Sequence, residues 1–263
     1  MLDDTTTGRV KEYFAQHPVL SRYANDICIV LTGSFAVGLG GKGADVDAKV
    51  LCPPTVYETV KRNLITAGRI EEAGEPEEEF TDVVGDYTLE SVSTVWQTVQ
   101  DYDDMTPLFI YGSLVYLAGN RELLDPLVRH CRNLPSTVLT REIERERLAM
   151  SQGVYAFLRS FQTADAVARM LARAAMVRAA MRLSFLVQGM APPYDKHLFR
   201  LLSQTTNGQR AAELIRQFLG ESADAFEEAA YGAVAATADW HAMYEAAAQT
   251  PVIRFRNEIL RLR

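Results

Sequence analysis

The two halves of the chain favour different kinds of secondary structure. Beyond about residue 120, long stretches are rich in Ala, Leu, Met, Arg and Glu, which lose little freedom on entering a helix. These stretches cover residues 122–132, 140–161, 164–187 and 223–248. The first half instead alternates short β-branched runs with glycine-rich and helical segments. Strands followed by helices are typical of an α+β protein. We therefore predict a small mixed-sheet domain over 1–134 and an all-α helical bundle over 135–263.

Three segments of the first half predict strands, at 26–32, 46–51 and 87–95, because they are rich in apolar or β-branched residues. Helices are predicted around 10–14 and over 55–67. Residues 71–82 contain seven acidic side chains, and this segment is predicted to be a solvated loop.

Composition limits the class of protein. The net charge is −7, and the first 132 residues hold 21 Asp and Glu against 11 Lys and Arg. Phosphate contacts supply most of the affinity of nucleic-acid binders, so we expect no general nucleic-acid binding. Apolar stretches are too short to span a membrane, and the three cysteines are scattered. With no apolar leader at the start, the sequence predicts a cytoplasmic protein, and it leaves the oligomeric state open.

The segment from Leu31 to Val50 carries the strongest chemical signal. A phosphate-binding Walker loop does not fit, because Lys42 precedes Gly43 rather than Ser or Thr. A dinucleotide-binding fingerprint fits weakly, since the glycines lead into a strand rather than a helix. A third interpretation fits better. In it, Gly33 and Ser34 present backbone N–H groups and a hydroxyl to a triphosphate.

Asp45 and Asp47 supply the second part of this interpretation. Residues two apart on a strand face the same side, so the two carboxylates point together. Magnesium prefers a few carboxylates combined with phosphate oxygens. Two such ions can hold the attacking and leaving oxygens of an in-line phosphoryl substitution.

The Gly33-Ser34 turn, a spacer, and Asp45-Val-Asp47 together resemble the signature of the DNA polymerase β-like nucleotidyltransferase superfamily. The resemblance implies transfer of a nucleoside monophosphate from a nucleoside triphosphate, with ATP as the expected donor and two Mg²⁺ ions. It also implies a third carboxylate on a neighbouring strand, which completes the metal site or accepts the proton of the acceptor. Glu90 is the first choice for that acid and Asp86 the alternative.

A second resemblance involves residues 178–199, which are similar to a segment of bacterial nucleotidyltransferase-like proteins carrying the domain DUF4037. It implies that Tyr194 and Lys196 contact the nucleotide. His197 departs from the pattern, because that family usually has Trp there. Residues 109–115 also resemble the strand that closes the catalytic domain of that branch.

The leading functional hypothesis is a magnesium-dependent nucleotidyltransferase whose acceptor is a small molecule such as an aminoglycoside-like polycation. The two-domain architecture of the chain and the acidity of its first half favour this acceptor. One alternative is nucleotidylation of a macromolecule, either a tRNA end or a protein. Another is a non-catalytic nucleotide-binding module on the same fold.

Overall fold

The computed structural model describes residues 4–41, 44–73, 76–81, 83–220, 245, 247–248 and 250–262. The chain divides into two compact units, Met1–Asn133 and Leu134–Arg263. The first contains a five-stranded mixed sheet with helices, and a helical region follows it. The predicted α+β class is confirmed.

The first unit contains the sheet, six α-helices and two short 3₁₀ helices (Leu20–Tyr23 and Arg121–Leu123) among its described residues. The strands are β1 (Cys28–Leu31), β2 (Val46–Cys52), β3 (Glu77–Glu79), β4 (Gly85–Ser91) and β5 (Val115–Gly119). The helices are α1 (Asp4–Gln16), α2 (Gly33–Ala36), α3 (Pro54–Thr66), α4 (Val92–Val99), α5 (Met105–Gly112) and α6 (Asp125–Arg132). The predicted strands at 26–32 and 46–51 and the predicted helix at 55–67 are confirmed.

The strand order is β3-β4-β2-β1-β5. β2 and β4 pair in parallel, while the other three neighbouring pairs are antiparallel. Alternate residues of the central strands are buried in one hydrophobic core, which includes Val46, Ala48, Val50, Tyr87 and Leu89. The residues between them therefore lie on the opposite face of the sheet.

The edge strand β3 corrects one prediction, because part of the segment expected to be a solvated loop is paired with β4. Its central residue, Glu78, is buried and accepts hydrogen bonds from the hydroxyls of Tyr13 (2.5 Å) and Tyr87 (2.6 Å). Arg69 forms an ion pair with the same carboxylate at 2.7 Å. A buried carboxylate needs such partners, and they join α1 to the edge of the sheet.

His17 completes this cluster in a defined tautomer. Its Nδ1 accepts hydrogen bonds from the backbone N–H groups of Val19 and Leu20, so the proton of a neutral ring lies on Nε2. Nε2 is 3.1 Å from Glu78 Oε2 and donates to it. Burial on its own would raise the pKa of Glu78, but the hydrogen bonds from His17, Tyr13 and Tyr87 lower it overall.

Two further strand predictions are wrong in part. The strand predicted at 87–95 ends at Ser91, whose partner Cys52 is the last residue of β2, so the chain beyond has no strand to pair with and forms α4. The strand predicted at 109–115 begins only at Val115. Residues up to Gly112 belong to α5, which begins after Asp104, whose side chain accepts from Thr106 N at 2.8 Å.

The second unit is helical over its described residues. It contains α7 (Ser136–Gln162), α8 (Ala166–Leu186), α9 (Asp195–Leu202), α10 (Gly208–Gly220) and α11 (Pro251–Arg261). The helices predicted at 140–161 and 164–187 are confirmed, whereas the one predicted at 223–248 lies largely outside the described residues. No helix in the part of the chain that the structure describes has the length and hydrophobicity to cross a bilayer.

The buried Glu78 cluster gives a prediction for stability. Glu78→Gln removes the charge that holds Arg69, so we expect the free energy of unfolding at pH 7 to fall by about 3 kcal/mol in urea denaturation. Because the pKa of Glu78 is lowered from 4.5 in the folded protein, its stabilisation is present above pH 4.5. The stabilisation is lost as the pH falls further, and the variant should lack this part of the acid sensitivity.

Glu79→Gln is the matched control, because Glu79 lies beside Glu78 on β3 and is exposed. We expect it to change the free energy of unfolding by no more than about 0.5 kcal/mol. Equal effects of the two substitutions would contradict the assigned role of Glu78.

Candidate active site

Carboxylates from three neighbouring strands form a row on the face of the sheet opposite the core. The register pairs Asp47 of β2 with Asp86 of β4, and Asp86 with Glu79 of β3. Neighbouring strands are about 4.8 Å apart, so the three side chains lie side by side. Asp47 and Asp86 are half-buried, and Asp45, just before β2, is exposed.

The acidic row has an electrostatic consequence at Asp86. Burial raises the pKa of Asp86, and the negative charges of Glu77, Asp47, Asp45 and Glu79 raise it further. Such mutual repulsion is relieved by a bound cation. The predicted pair Asp45 and Asp47 therefore has a neighbour in Asp86.

The Gly33-Ser34 turn lies directly against Asp47. Gly33 has a φ of +62°, in the left-handed region, and a β-carbon built on it would lie 1.8 Å from Asp47 Oδ2. Only glycine fits this position without displacing the carboxylate. The backbone N–H of Thr32 also donates to the carbonyl oxygen of Asp47 at 2.9 Å. The structure thus brings Gly33, Ser34 and Asp47 together, as the sequence interpretation requires.

The loop after Ser34 is folded back on this turn. The carbonyl oxygen of Ser34 accepts from the N–H groups of Leu39 (2.8 Å) and Gly40 (3.0 Å). A β-carbon on Gly40 would lie 2.7 Å from the ring of Phe35, which is buried. Lys42 and Gly43 lie outside the described residues.

Glu90 lies on β4, the neighbour of β2, but farther along the strand than Asp86. In the register it is opposite Leu51, four residues beyond Asp86, or about 13 Å along the strand. Its carboxylate forms an ion pair with Lys49 and accepts from the hydroxyl of Tyr111 at 2.9 Å. Burial, together with the charge of Glu90, raises the pKa of Tyr111, so this hydroxyl remains a donor. The structure does not bring Glu90 into the row with Asp45 and Asp47.

Tyr194 and Lys196 lie in the second unit, at the start of α9. Lys196 Nζ is 5.3 Å from the centre of the Tyr194 ring, a cation–π contact. Arg178 of α8 donates from Nε to Asp195 Oδ1 at 2.8 Å. The role of Tyr194 and Lys196 in nucleotide binding stays a prediction.

His197 follows these residues and is buried, with 3% of its surface exposed. Among the described residues neither ring nitrogen has a hydrogen-bond partner, and the centre of the ring lies 4.6 Å from that of Tyr194. Burial, with smaller contributions from Lys196 and Arg200, lowers the pKa of His197. Burial therefore favours the uncharged form of this imidazole.

The interpretation of the sequence did not indicate that Lys49, Tyr111 and the acids of β3 that lie opposite β4 belong to the candidate site. The signal for Lys49 was present, because it follows Asp47 by two residues and Asp86, Thr88 and Glu90 alternate in the same way. Which acid of β4 lies beside Asp47 depends on strand register, and a single sequence does not give it.

Two segments of the chain match known protein families. Residues 17–101 match the nucleotidyltransferase domain family, and residues 108–198 match the domain of unknown function DUF4037. These two segment matches, one to a nucleotidyltransferase domain of the DNA polymerase β-like type and one to DUF4037, confirm both predicted resemblances. The first domain supports transfer of a nucleoside monophosphate as the general class of reaction.

Among solved structures, the chain is similar to a nucleotidyltransferase-like protein from Exiguobacterium sibiricum 255-15. The identity is 12% and the TM-score 0.45, over 97% of this chain and 80% of that one. No curated protein matches the chain.

The contact between Gly33 and Asp47 gives a prediction. Gly33→Ala must displace the Asp47 carboxylate and hold alanine at positive φ, so we expect isothermal titration calorimetry to show magnesium-dependent triphosphate binding weakened at least about tenfold. Gly38→Ala is the matched control, because Gly38 has a φ of +73° and a β-carbon built on it has no atom of the described residues within 4 Å. Both variants should lose about 1 kcal/mol of stability. Unaltered binding by Gly33→Ala would contradict this role of the turn.

A second prediction concerns His197. The pKa of His197 is lowered from its usual value of 6.5 in the folded protein, so at lower pH the unfolded chain binds a proton at this side chain more readily than the folded protein does. The wild type therefore loses stability as the pH falls from 6.5 to 5. His197→Phe should remove this component and raise the free energy of unfolding at pH 7 by about 1 kcal/mol.

The control is His130→Phe, because both ring nitrogens of His130 have partners, Tyr102 and the carbonyl of Val99. This substitution should destabilise the protein. If both substitutions destabilise it equally at pH 7, His197 has a polar role that the contacts do not explain.

Proposed function

We propose that the chain is a magnesium-dependent nucleotidyltransferase that moves a nucleoside monophosphate from a nucleoside triphosphate, with ATP as the expected donor, to the hydroxyl of a small cationic acceptor. The observation that carries this proposal is the cross-strand pair of Asp47 and Asp86, directly beside the Gly33-Ser34 turn. The family match supports the reaction class.

The donor set fits magnesium. Over the described ranges, no three or more His, Cys, Asp or Glu side chains are grouped to hold a metal ion. Magnesium is commonly held through one or two carboxylates, with substrate phosphates and water completing its shell. The hard oxygens of Asp47 and Asp86, with Asp45 beside them, suit that mode. When bound there, Mg²⁺ would neutralise phosphate charge.

Asp86 is the better candidate than Glu90 for the third acid. Asp86 lies beside Asp47 in the register, whereas both oxygens of Glu90 are engaged by Lys49 and Tyr111. The role that the family resemblance implies for the third acid, completing the metal site or taking the acceptor proton, is therefore proposed for Asp86.

The reaction is a single displacement at the α-phosphorus. The acceptor oxygen forms a bond to this phosphorus, the bond to the pyrophosphate oxygen breaks, and the acceptor proton passes to the carboxylate of Asp86. Gly33 and Ser34 hold the β- and γ-phosphates through backbone N–H groups and the serine hydroxyl. Most of the rate enhancement then comes from alignment and charge stabilisation. Tyr194 and Lys196 are proposed as further nucleotide contacts.

The acceptor is proposed to be a polycationic amino alcohol of the aminoglycoside type. Glu77 and Glu79 are exposed on β3, next to the face that carries Asp86. Their carboxylates are in excess of those needed to bind the nucleotide, and their charge attracts cationic acceptors at low ionic strength.

The proposal predicts the behaviour of two variants. Asp47→Asn and Asp86→Asn should each lower kcat for pyrophosphate release by about 100-fold or more, because each removes a carboxylate proposed to hold Mg²⁺ or to take the acceptor proton. Asp101→Asn, a loop acid after α4, is the control and should retain activity. The assay combines each nucleoside triphosphate with Mg²⁺ and a panel of amino sugars.

Three other outcomes separate the alternatives. Triphosphate binding without turnover on any acceptor would favour the non-catalytic module. Turnover only with tRNA or protein would favour the macromolecular acceptor. If Asp86→Asn is active while Glu90→Gln is inactive, the third acid is Glu90.

A further inference from the structure

Lys49 projects from the same face of β2 as Asp47. The two residues are separated by one position, so their α-carbons are about 7 Å apart along the strand. The Lys49 side chain is 15% exposed. Among the residues of β2 and β4, Lys49 is the cation on this otherwise acidic face. The reaction proposed above assigns no role to it.

Three neighbours hold the ammonium group in place. Lys49 Nζ forms an ion pair with Glu90, lies 3.4 Å from Thr88 Oγ1, and is 5.8 Å from the centre of the Tyr111 ring. Tyr111 in turn donates to the other carboxylate oxygen of Glu90. Glu90 is thus fixed by two donors, and it fixes the position of Lys49.

This arrangement prepares a flexible side chain for an anionic ligand. A free lysine loses considerable rotamer entropy when it binds, and much of that loss has already occurred here. The ammonium has three N–H donors, and Glu90 and Thr88 account for two. Lys49 is two residues, or one strand repeat, from Asp47 on the same face of β2, and the polyphosphate is proposed to bind beside Asp47.

We propose that Lys49 is a phosphate-binding residue for the nucleoside triphosphate, and that Glu90, held by Tyr111, is the residue that positions it. This inference rests on the proposed function, since it concerns the same site. It gives Glu90 a task different from metal binding or proton transfer.

The test is isothermal titration calorimetry with inorganic tripolyphosphate and with a non-hydrolysable ATP analogue, each with Mg²⁺ and with EDTA. Lys49→Met should weaken binding of both probes about 10- to 100-fold, as expected for loss of a charge-assisted hydrogen bond. Lys61→Met is the control, because Lys61 is on α3, whose buried residues Val60 and Leu64 pack in the core on the other face. It should bind like wild type.

Lys49→Met leaves Glu90 without its ion-pair partner and is expected to destabilise the first unit. Lys49→Met/Glu90→Gln removes both charges, and thermal unfolding should show its stability restored relative to the single variant. If the restored double variant still binds tripolyphosphate weakly, Lys49 contacts phosphate. Binding equal to wild type would show a purely structural ion pair and overturn the proposal.

Glu90→Gln distinguishes a role of Glu90 in positioning Lys49 from a direct role in metal binding or proton transfer. A positioning role predicts a higher KM for the nucleotide with kcat nearly unchanged, whereas a metal ligand or general base would lower kcat about 100-fold or more. The latter result would overturn the role assigned to Glu90.

Different binding results would overturn the proposed function and the role assigned to Lys49. If folded wild type binds neither probe, both are overturned. If wild type binds the ATP analogue with Mg²⁺ and Lys49→Met binds it equally well, only the assignment of Lys49 is overturned.

Discussion

The parallel pairing of β2 with β4 determines the chemistry of the first unit. Its register places Asp47 beside Asp86 and Lys49 beside Thr88. A shift of β2 by one residue would move Asp47 and Lys49 to the core face, where burial of an unpaired charge is strongly unfavourable. The buried residues between them, Val46, Ala48 and Val50, oppose such a shift, so packing in the core fixes the geometry of the acidic row.

The edge strand stabilises this arrangement from the other side. Glu78 is tied to α1 through Tyr13 and His17, and to β4 through Tyr87. Because residues alternate along a strand, anchoring Glu78 in the core places Glu77 and Glu79 on the face of Asp86. The strand β3 therefore has one buried, structural carboxylate and two exposed ones beside the candidate active site.

The sequence predicts the class of fold and the centre of the candidate site for physical reasons. Asp45 and Asp47 open a strand whose alternation is visible in the sequence, and the helices α7 and α8 follow from composition. The end of β4 at Ser91 was missed, because it depends on where β2 ends rather than on local propensity. The choice between Asp86 and Glu90, and the pairing of Lys49 with Glu90, depend on strand register, a long-range property.

The most direct measurement for the central claim is a crystal structure grown with Mn²⁺ in place of Mg²⁺ and a non-hydrolysable nucleoside triphosphate. Anomalous scattering then locates the metal independently of activity. The account predicts an Mn²⁺ peak in contact with the carboxylates of Asp47 and Asp86, with the triphosphate against Gly33 and Ser34. A peak at Glu90 with none near Asp86, or a nucleotide bound away from Asp47, would contradict it.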